Sequence, residues 1–502
     1  MDDVLPIDMP PGVLANGTEY EAKGRWIVAD LIRWYNGRMR PVGGWQRFTP
    51  SPLPEPARSA ISWRRNDGTA VAAFGTASHL YQTDGSVVAD ITPAGLTPGH
   101  VDPGGGGGYG AGNYSDSTYG TPRAGGSSIY PATVWSLDNF GQVLLGVSIA
   151  DGRLFAWDGG ANPPQATLVA SAPTQNAGMF VTDERMCVLL GSGGNPREVK
   201  WSNQGDYTNF TVDETTTAGD LQLKTNGRAL CGVRVPGSAN LILTDTDAHT
   251  LNYVGYPFIY GSTRVGNACG IISPKAYGAT GNFCAWMGQK SFYIYNGVVT
   301  ALPCEVQERV FDNLNNDYAS KIICGVNSLF SEIWWFFPSL NATENDSYVF
   351  WNYKENVWSV SIGVFSRTAW FDREVWPFPV AGDGAGNLFE QESGWTAAGA
   401  SRVNMVRAVS GPIDIANGER VLAVNQIIPD TNVGPGGVNL SFATKMTPNG
   451  AATVWGPYLQ RPDGYTDVRF SGRQMQIKLS LAADGLFQFG TLRLNTNLVG
   501  RR

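Results

Sequence analysis

SFYIYNGV (residues 291–298) is the stretch on which the fold turns. An alternating apolar strand ends in aromatic-x-aromatic and falls straight into Asn-Gly, a pair that tolerates the positive φ of a tight hairpin turn. The same grammar returns in HLYQTDGS (79–86), in RLFAWDGG (153–160) and, more loosely, in NLFEQESG (387–394). Between these units lie further strand pairs: CVLLGSGGNPREVKWSNQG (187–205), LILTDTDAHTLNYVG (241–255) and EIWWFFPSLNATENDSYVFWNYKENVWSV (332–360). About seven sheet-sized units are thus spread between residues 58 and 395. A strand of this length cannot bury a core alone, and radial repetition of small antiparallel sheets lets each unit bury itself against its neighbours. The expectation is an all-β chain with a β-propeller of about seven blades over residues 51–400.

Composition agrees. Charged residues make up 16% of the 502, whereas Gly (62), Pro (30), Trp (16), Tyr (19) and Phe (22) are plentiful, which suits short strands, tight turns and aromatic packing between sheets. The net charge of −7 argues against gripping nucleic acid through a basic face. It is compatible with a surface past which nucleic acid slides. No window holds 18 apolar residues in a row, so no transmembrane helix is expected, and the acidic, Pro-broken start MDDVLPIDMPPG is unlike a signal peptide. Cys187, Cys231, Cys269, Cys284, Cys304 and Cys324 form no CxxC pair. They read as reduced, buried small residues of a protein made in a cytoplasm.

The remaining segments depart from the repeat. Residues 1–50 carry turns at Asn16-Gly17 and Asn36-Gly37 around short apolar pieces, and read as two or three strands plus an N-terminal arm. In 304–322, Val306, Val310 and Leu314 fall at i, i+4, i+8 beside Phe311 and after Pro303, predicting one short helix between blades. Residues 401–502 carry longer alternating strands and predict a separate C-terminal β-sandwich. A Gly/Tyr-rich insertion spans about 95–132, with Tyr109, Tyr114 and Tyr119 spaced five apart. It lacks the Lys-Ser/Thr pair and the strand-to-helix setting of a phosphate loop. Its glycines permit close backbone approach, and its tyrosines offer contact area with polar tips for a neighbouring subunit or a lumen.

The search for chemistry is sparse. Asp245, Asp247 and His249 alternate along one strand and form a candidate divalent-metal set, against the plainer reading of a polar strand edge. No G-x-S-x-G occurs and the chain has three histidines, so nucleophilic catalysis has no support; no enzyme activity and no cofactor are expected. Arg33, Arg38, Arg40 and Arg47 interleave with Trp34, Tyr35 and Trp45. Such a stretch can bind single strands, though docking on another subunit is the better reading; Arg33, Trp34, Arg40 and Trp45 are the candidate docking residues.

Long blocks of this chain resemble virion proteins of short-tailed bacteriophages. They include PPGVLANGTEYEAKGRWIVADLIRWYNGRMRPVGGW, FVTDERMCVLLGS with KWSNQGDYTNF, TDTDAHTLNYVGYPFIYGSTRVGNACGIISPKA, WMGQKSFYIYNG with LPCEVQERVF, and RFSGRQMQIKLS with GTLRLNTNLVGRR. The resemblance runs in blocks from about residue 10 to 502 and is nearest to the tail nozzle, or tubular tail protein B. It implies a propeller-bearing subunit in a homohexameric ring below the adaptor (connector) protein. Such a ring continues the ejection channel for double-stranded DNA, which passes without specific binding, and offers a surface for tail fibres or spikes. The implied location is the virion tail, after synthesis in the bacterial host cytoplasm. A receptor- or glycan-binding tip protein is the alternative, and a virion-borne glycan depolymerase a more distant one.

Overall fold

The computed structural model describes residues 3–105, 129–159, 165–235, 237, 239–414, 420–433, 437–461 and 464–500. The insertion tyrosines Tyr109, Tyr114 and Tyr119 lie outside them.

Seven four-stranded antiparallel sheets are present among the described residues. Six are built from consecutive strands. Blade 1 starts at Ser59–Arg64, blade 2 at Trp135–Phe140, blade 3 at Gly178–Val181, blade 4 at Ala229–Val233, blade 5 at Tyr277–Ala279 and blade 6 at Ile323–Asn327. Blade 7 takes Ala369–Phe371, Val380–Gly382 and Leu388–Gln391 from late in the chain and its outer strand, Trp45–Arg47, from the beginning. The first strands of most successive blades lie against each other, and that of blade 7 meets that of blade 1, so the circle closes. This is a seven-bladed β-propeller. Closure by an early strand removes the free edge that an open ring would expose.

The middle strands of the blades are covered on both faces, and their sequences show it. Glu332–Phe337 (EIWWFF) and Ser347–Asn352 (SYVFWN) are buried at every position. Trp335 stacks on Trp358 with ring centroids 6.1 Å apart and meets Phe292 of the preceding blade at 4.9 Å. Removing one such buried aromatic costs about 3–5 kcal/mol. Small residues face the aromatics across blade junctions. A Cβ on Gly325 would sit 2.5 Å from the Trp370 ring, whose Nε1 donates to the Val326 carbonyl at 2.8 Å.

The second domain is a sandwich of two six-stranded sheets. One runs Ile32–Tyr35, Arg38–Pro41, Phe487–Gly500, Val421–Val433, Thr466–Gly472, with Asp3–Ile7 also on Phe487–Gly500. The other runs Trp26–Asp30, Arg407–Ser410, Gln474–Leu481, Val438–Lys445, Thr453–Leu459, with Ile413–Asp414 on Gln474–Leu481. Val438–Lys445 alternates buried and half-buried along its whole length, as a strand with one face on a core must.

Two expectations need correction. Residues 1–50 do not form an arm: four of their five strands are built into the sandwich and the fifth closes the propeller. Their apolar faces, Trp26, Ile32, Trp34 and Met39, are too large to leave in water and are buried in the shared core. The segment 304–322 is not one helix. Gln307–Phe311 makes a single α-turn, Leu314 then bridges to Ser339, and Asn316–Lys321 is a 3₁₀ helix capped by the Asn315 side chain. The asparagine offers its side-chain carbonyl to Asp317 N in place of a continued helix, as Asn does at N-caps.

Candidate functional surfaces and the axial cavity

The candidate docking residues of the N-terminal segment are engaged within the chain. Arg33 is fully buried between the sandwich and two blades. Its Nε lies 2.9 Å from Glu332 Oε1 of blade 6, and its two terminal nitrogens contact Glu392 after blade 7 at 2.9 and 2.5 Å. Glu332 also accepts from Trp334 Nε1 (3.0 Å), and Glu392 accepts from Gly43 N and Asn327 Nδ2. The Arg33 guanidinium covers the Phe330 ring at 3.8 Å, and that of Arg40 lies over Tyr35 and Phe330 at 4.4 and 4.7 Å. Trp34 is buried in the common core. Trp45 packs on Phe365 at 4.9 Å, with the Arg367 guanidinium 4.9 Å from its ring. The chemistry read from the sequence, arginine against rings and carboxylates, is present, but the surface it meets is the chain's own propeller.

Burial drives Glu332 up to about 7, against the pull of Arg33 and with a further push from Glu392. The domain junction is completed by polar ties. Leu31 N donates to Tyr348 Oη (2.6 Å), Ser361 Oγ to Asp30 Oδ1 (2.6 Å), Arg407 Nε to Asp30 Oδ2 (2.5 Å), and Arg402 to the Val42 and Gly43 carbonyls. One continuous hydrophobic core spans both domains.

The candidate metal residues diverge. Asp247 accepts from the Thr225 and Thr244 hydroxyls at 2.8 and 2.6 Å and lies 3.2 Å from His249 Nε2. Asp245 turns to Arg228, accepting from its backbone N at 2.8 Å. Burial holds His249 below the usual imidazole range. Among the described residues no group of three His, Cys, Asp or Glu converges as a metal ligand set.

Two features that sequence reading did not single out stand out. The first is the hairpin of blade 4. Its strands Asp247–Gly255 and Ile259–Asn267 have nine residues each; the first is buried at the base and exposed toward the tip, whereas the second is buried at Ile259 and Tyr260 beside the tip and half-buried or exposed beyond. At the tip Val254 is 58% exposed, and Tyr256 and Phe258 are each 76% exposed. The signal was in YVGYPFIYG (253–261), where apolar residues occupy a turn that solvent would fill with Asn, Asp or Ser.

The second is a cavity on the propeller axis, with two adjoining lobes of about 270 Å³ each. One lobe is lined from blades 1, 5, 6 and 7, the other mainly from blades 2, 3, 4 and 5, and Lys275, Tyr277, Ala279 and Glu374 border both. Most charged groups here are partnered. Asp138 accepts from Val181 N and Asn139 N at 2.8 Å and lies 3.7 Å from Arg234, which also lies 3.7 Å from Asp183. Asp372 accepts from Arg373 N at 2.8 Å. Burial raises Asp138, Asp372 and Glu374, and lowers Lys275 to about 8 against the opposing pull of Cys231 and Asp138.

The six cysteines are unpaired thiols, five of them buried. No helix among the described residues is long and apolar enough to cross a membrane.

No protein-family model matches the chain, and no curated protein matches its sequence. Solved structures do resemble it. One is the computationally designed Ika8 protein, at 11% identity and a TM-score of 0.38, covering 69% of this chain and 99% of that one. Another is YCF48 bound to a D1 peptide, at 8% identity and a TM-score of 0.39, covering 73% of this chain and 98% of that one. The propeller itself is defined by the strand pairing described above.

Proposed function

We propose that this chain is a structural subunit of a bacteriophage tail. It assembles with copies of itself as a nozzle-like ring that continues the DNA ejection channel below the adaptor and carries fibres or spikes. The block-wise resemblance to tail nozzle proteins supports the reading, and so does the acidic charge, which disfavours retention of a passing duplex. The observation that carries it is the blade 4 hairpin. A chain that buries tryptophans so thoroughly elsewhere leaves Val254, Tyr256 and Phe258 exposed at the tip of a two-stranded hairpin. An exposed aromatic tip of this kind is the composition of an interface anchor. The docking residues Arg33, Trp34, Arg40 and Trp45 are spent inside the chain, so contacts with neighbours fall to elements such as this hairpin.

Electron microscopy of the purified chain and of intact virions, together with light scattering, tests the reading. The wild-type chain is expected to form rings, and the triple variant Val254→Ser, Tyr256→Ser, Phe258→Ser to remain monomeric while keeping its melting temperature. A wild-type chain that stays monomeric and sits at the virion periphery, binding host envelope glycan, would overturn the ring in favour of the receptor-binding reading.

A further inference from the structure

Two surfaces of the chain expose apolar side chains, one beside an acidic loop and the other on a basic sheet face. The first lies on the rim of blades 3 and 4. From Trp201 to Leu223 the chain holds four carboxylates, Asp206, Asp213, Glu214 and Asp220, and no Lys or Arg. Asp206 and Asp213 accept from the hydroxyls of Thr208 and Thr215 in their own turns, and neither they nor Glu214 form an ion pair among the described residues. This loop is tied to the blade 4 hairpin. Trp201 Nε1 donates to the Thr217 carbonyl at 2.9 Å, and the Trp201 ring meets that of Tyr260 at 5.3 Å. Tyr260 pairs across the hairpin with Tyr253, next to the exposed Val254, Tyr256 and Phe258. Acidic loop and apolar tip are therefore neighbours.

The second surface is the outward face of the sandwich sheet that ends at Thr453–Leu459. In the strand register Arg407 lies opposite Ser480, Lys478 opposite Ser441, Val454 opposite Ala443 and Leu459 opposite Asn439. Alternation along the strands puts these residues and Lys445 on one face. The strands Arg407–Ser410, Gln474–Leu481, Val438–Lys445 and Thr453–Leu459 contain no Asp or Glu. Arg407 is paired with Asp30, whereas Lys445 and Lys478 form no ion pair among the described residues. Thr453–Leu459 is the terminal strand of its sheet, and Val454 and Leu459 on it are 69% and 58% exposed. Proteins usually shield such an edge with charge, yet MTPNGAATVWGPYLQ (446–460) carries none. Pro457 lacks an N–H and disfavours extension of the sheet by a further strand, so the face offers side chains rather than backbone. The same polarity runs through the whole chain: residues 401–502 hold 11 Lys and Arg against 6 Asp and Glu, and residues 48–400 hold 19 against 31.

We propose that these two surfaces meet between copies of the chain: the sandwich face around Lys445, Lys478, Val454 and Leu459 of one copy docks on the blade 3–4 rim of the next. The contact presupposes the ring proposed above and names the two surfaces that join it. Because the patches are unlike, the contact is head-to-tail, the kind that repeats around a ring, and not the self-complementary contact of a two-fold dimer. Apolar side chains at its centre give up their exposure to water, while the flanking charges of opposite sign steer the encounter and fix its register. Another copy suits the basic face better than a nucleic acid does. A duplex is gripped through many more phosphate contacts than Lys445, Lys478 and a paired Arg407 can supply.

The test follows self-association of the full chain by sedimentation velocity. The double reversals Lys445→Glu with Lys478→Glu, and Asp213→Lys with Glu214→Lys, should each weaken association at least about tenfold, because each sets like charges against each other. The chain carrying all four changes exchanges both signs and should regain most of the loss. Val454→Ser with Leu459→Ser should leave the chain monomeric, as should the hairpin-tip triple variant. Mixed one to one, these two variants should form heterodimers that grow no further, since each keeps one intact surface. The substituted side chains lie at the surface, so melting temperatures should match the wild type, which keeps every variant interpretable. A wild type that forms rings while the reversals and the edge variant assemble as well as it does would overturn this contact and leave the ring standing. So would a mixture that yields no heterodimer. A wild type that stays monomeric would overturn both.

Discussion

At the scale of single residues, Arg33 is the most heavily committed side chain of the domain junction. It lies 299 residues from Glu332 and 359 from Glu392, and it bonds to both in a place closed to water. Breaking a buried ion pair by removing one partner strands the other charge, so Arg33→Met should lower stability by about 3–5 kcal/mol at pH 8. Arg33→Lys should recover little of it, because an ammonium cannot span two carboxylates in the fork geometry of a guanidinium. Urea unfolding of the three proteins measures both effects. Glu332 adds a pH dependence. Its folded-state value of about 7 lies above the unfolded range of about 4.3, so between these values the folded chain holds a proton that the unfolded chain has lost. Stability from this group therefore falls as pH rises from about 4.5 through 7, by on the order of 1–3 kcal/mol. In Glu332→Gln that fall should flatten. An unchanged slope across pH 5–8 would assign the dependence to another group.

At the scale of elements, the strand Trp45–Arg47 has the largest consequence for its size. Its three residues pair with Phe389, Glu390 and Gln391 and turn an open arc of blades into a ring. Trp26–Asp30, earlier in the same segment, pairs with Arg407–Ser410 and lies against Val357–Ser361 of blade 6. Deleting residues 1–47 should therefore leave both domains with unpaired edges and exposed core. The truncated chain is expected to lose cooperative melting and to aggregate, and an isolated 401–502 fragment, lacking Trp26–Asp30, Ile32–Tyr35 and Arg38–Pro41, should remain unfolded by circular dichroism. A sandwich fragment that melts cooperatively by itself would contradict this interlocking.

At the scale of the whole molecule, propeller and sandwich behave as one body, because the sandwich sheets are completed by residues that precede the propeller in the chain and the core runs through the junction. The blades were legible in the sequence through local signals. Aromatic-x-aromatic followed by Asp/Asn-Gly, as in Tyr293-Ile294-Tyr295-Asn296-Gly297, states a strand and its turn within eight residues. The sandwich was legible through alternation in strands such as Val438–Lys445. The arm was misread because pairing partners hundreds of residues away leave no local trace. The segment 304–322 was misread because helical spacing at Val306, Val310 and Leu314 could not show that Asn315 caps a new turn.

Strand, turn and period are encoded over a few residues, by φ preference and by which side chains leave water, and to that extent the sequence by itself determined an all-β chain of small repeated sheets followed by a sandwich. Which strand completes which sheet and which arginine meets which carboxylate were decided only by the tertiary structure. Those outcomes depend on bringing together segments that are distant in the chain, and only the closed fold supplies the low-dielectric surroundings in which an ion pair or a raised carboxyl acquires its energy.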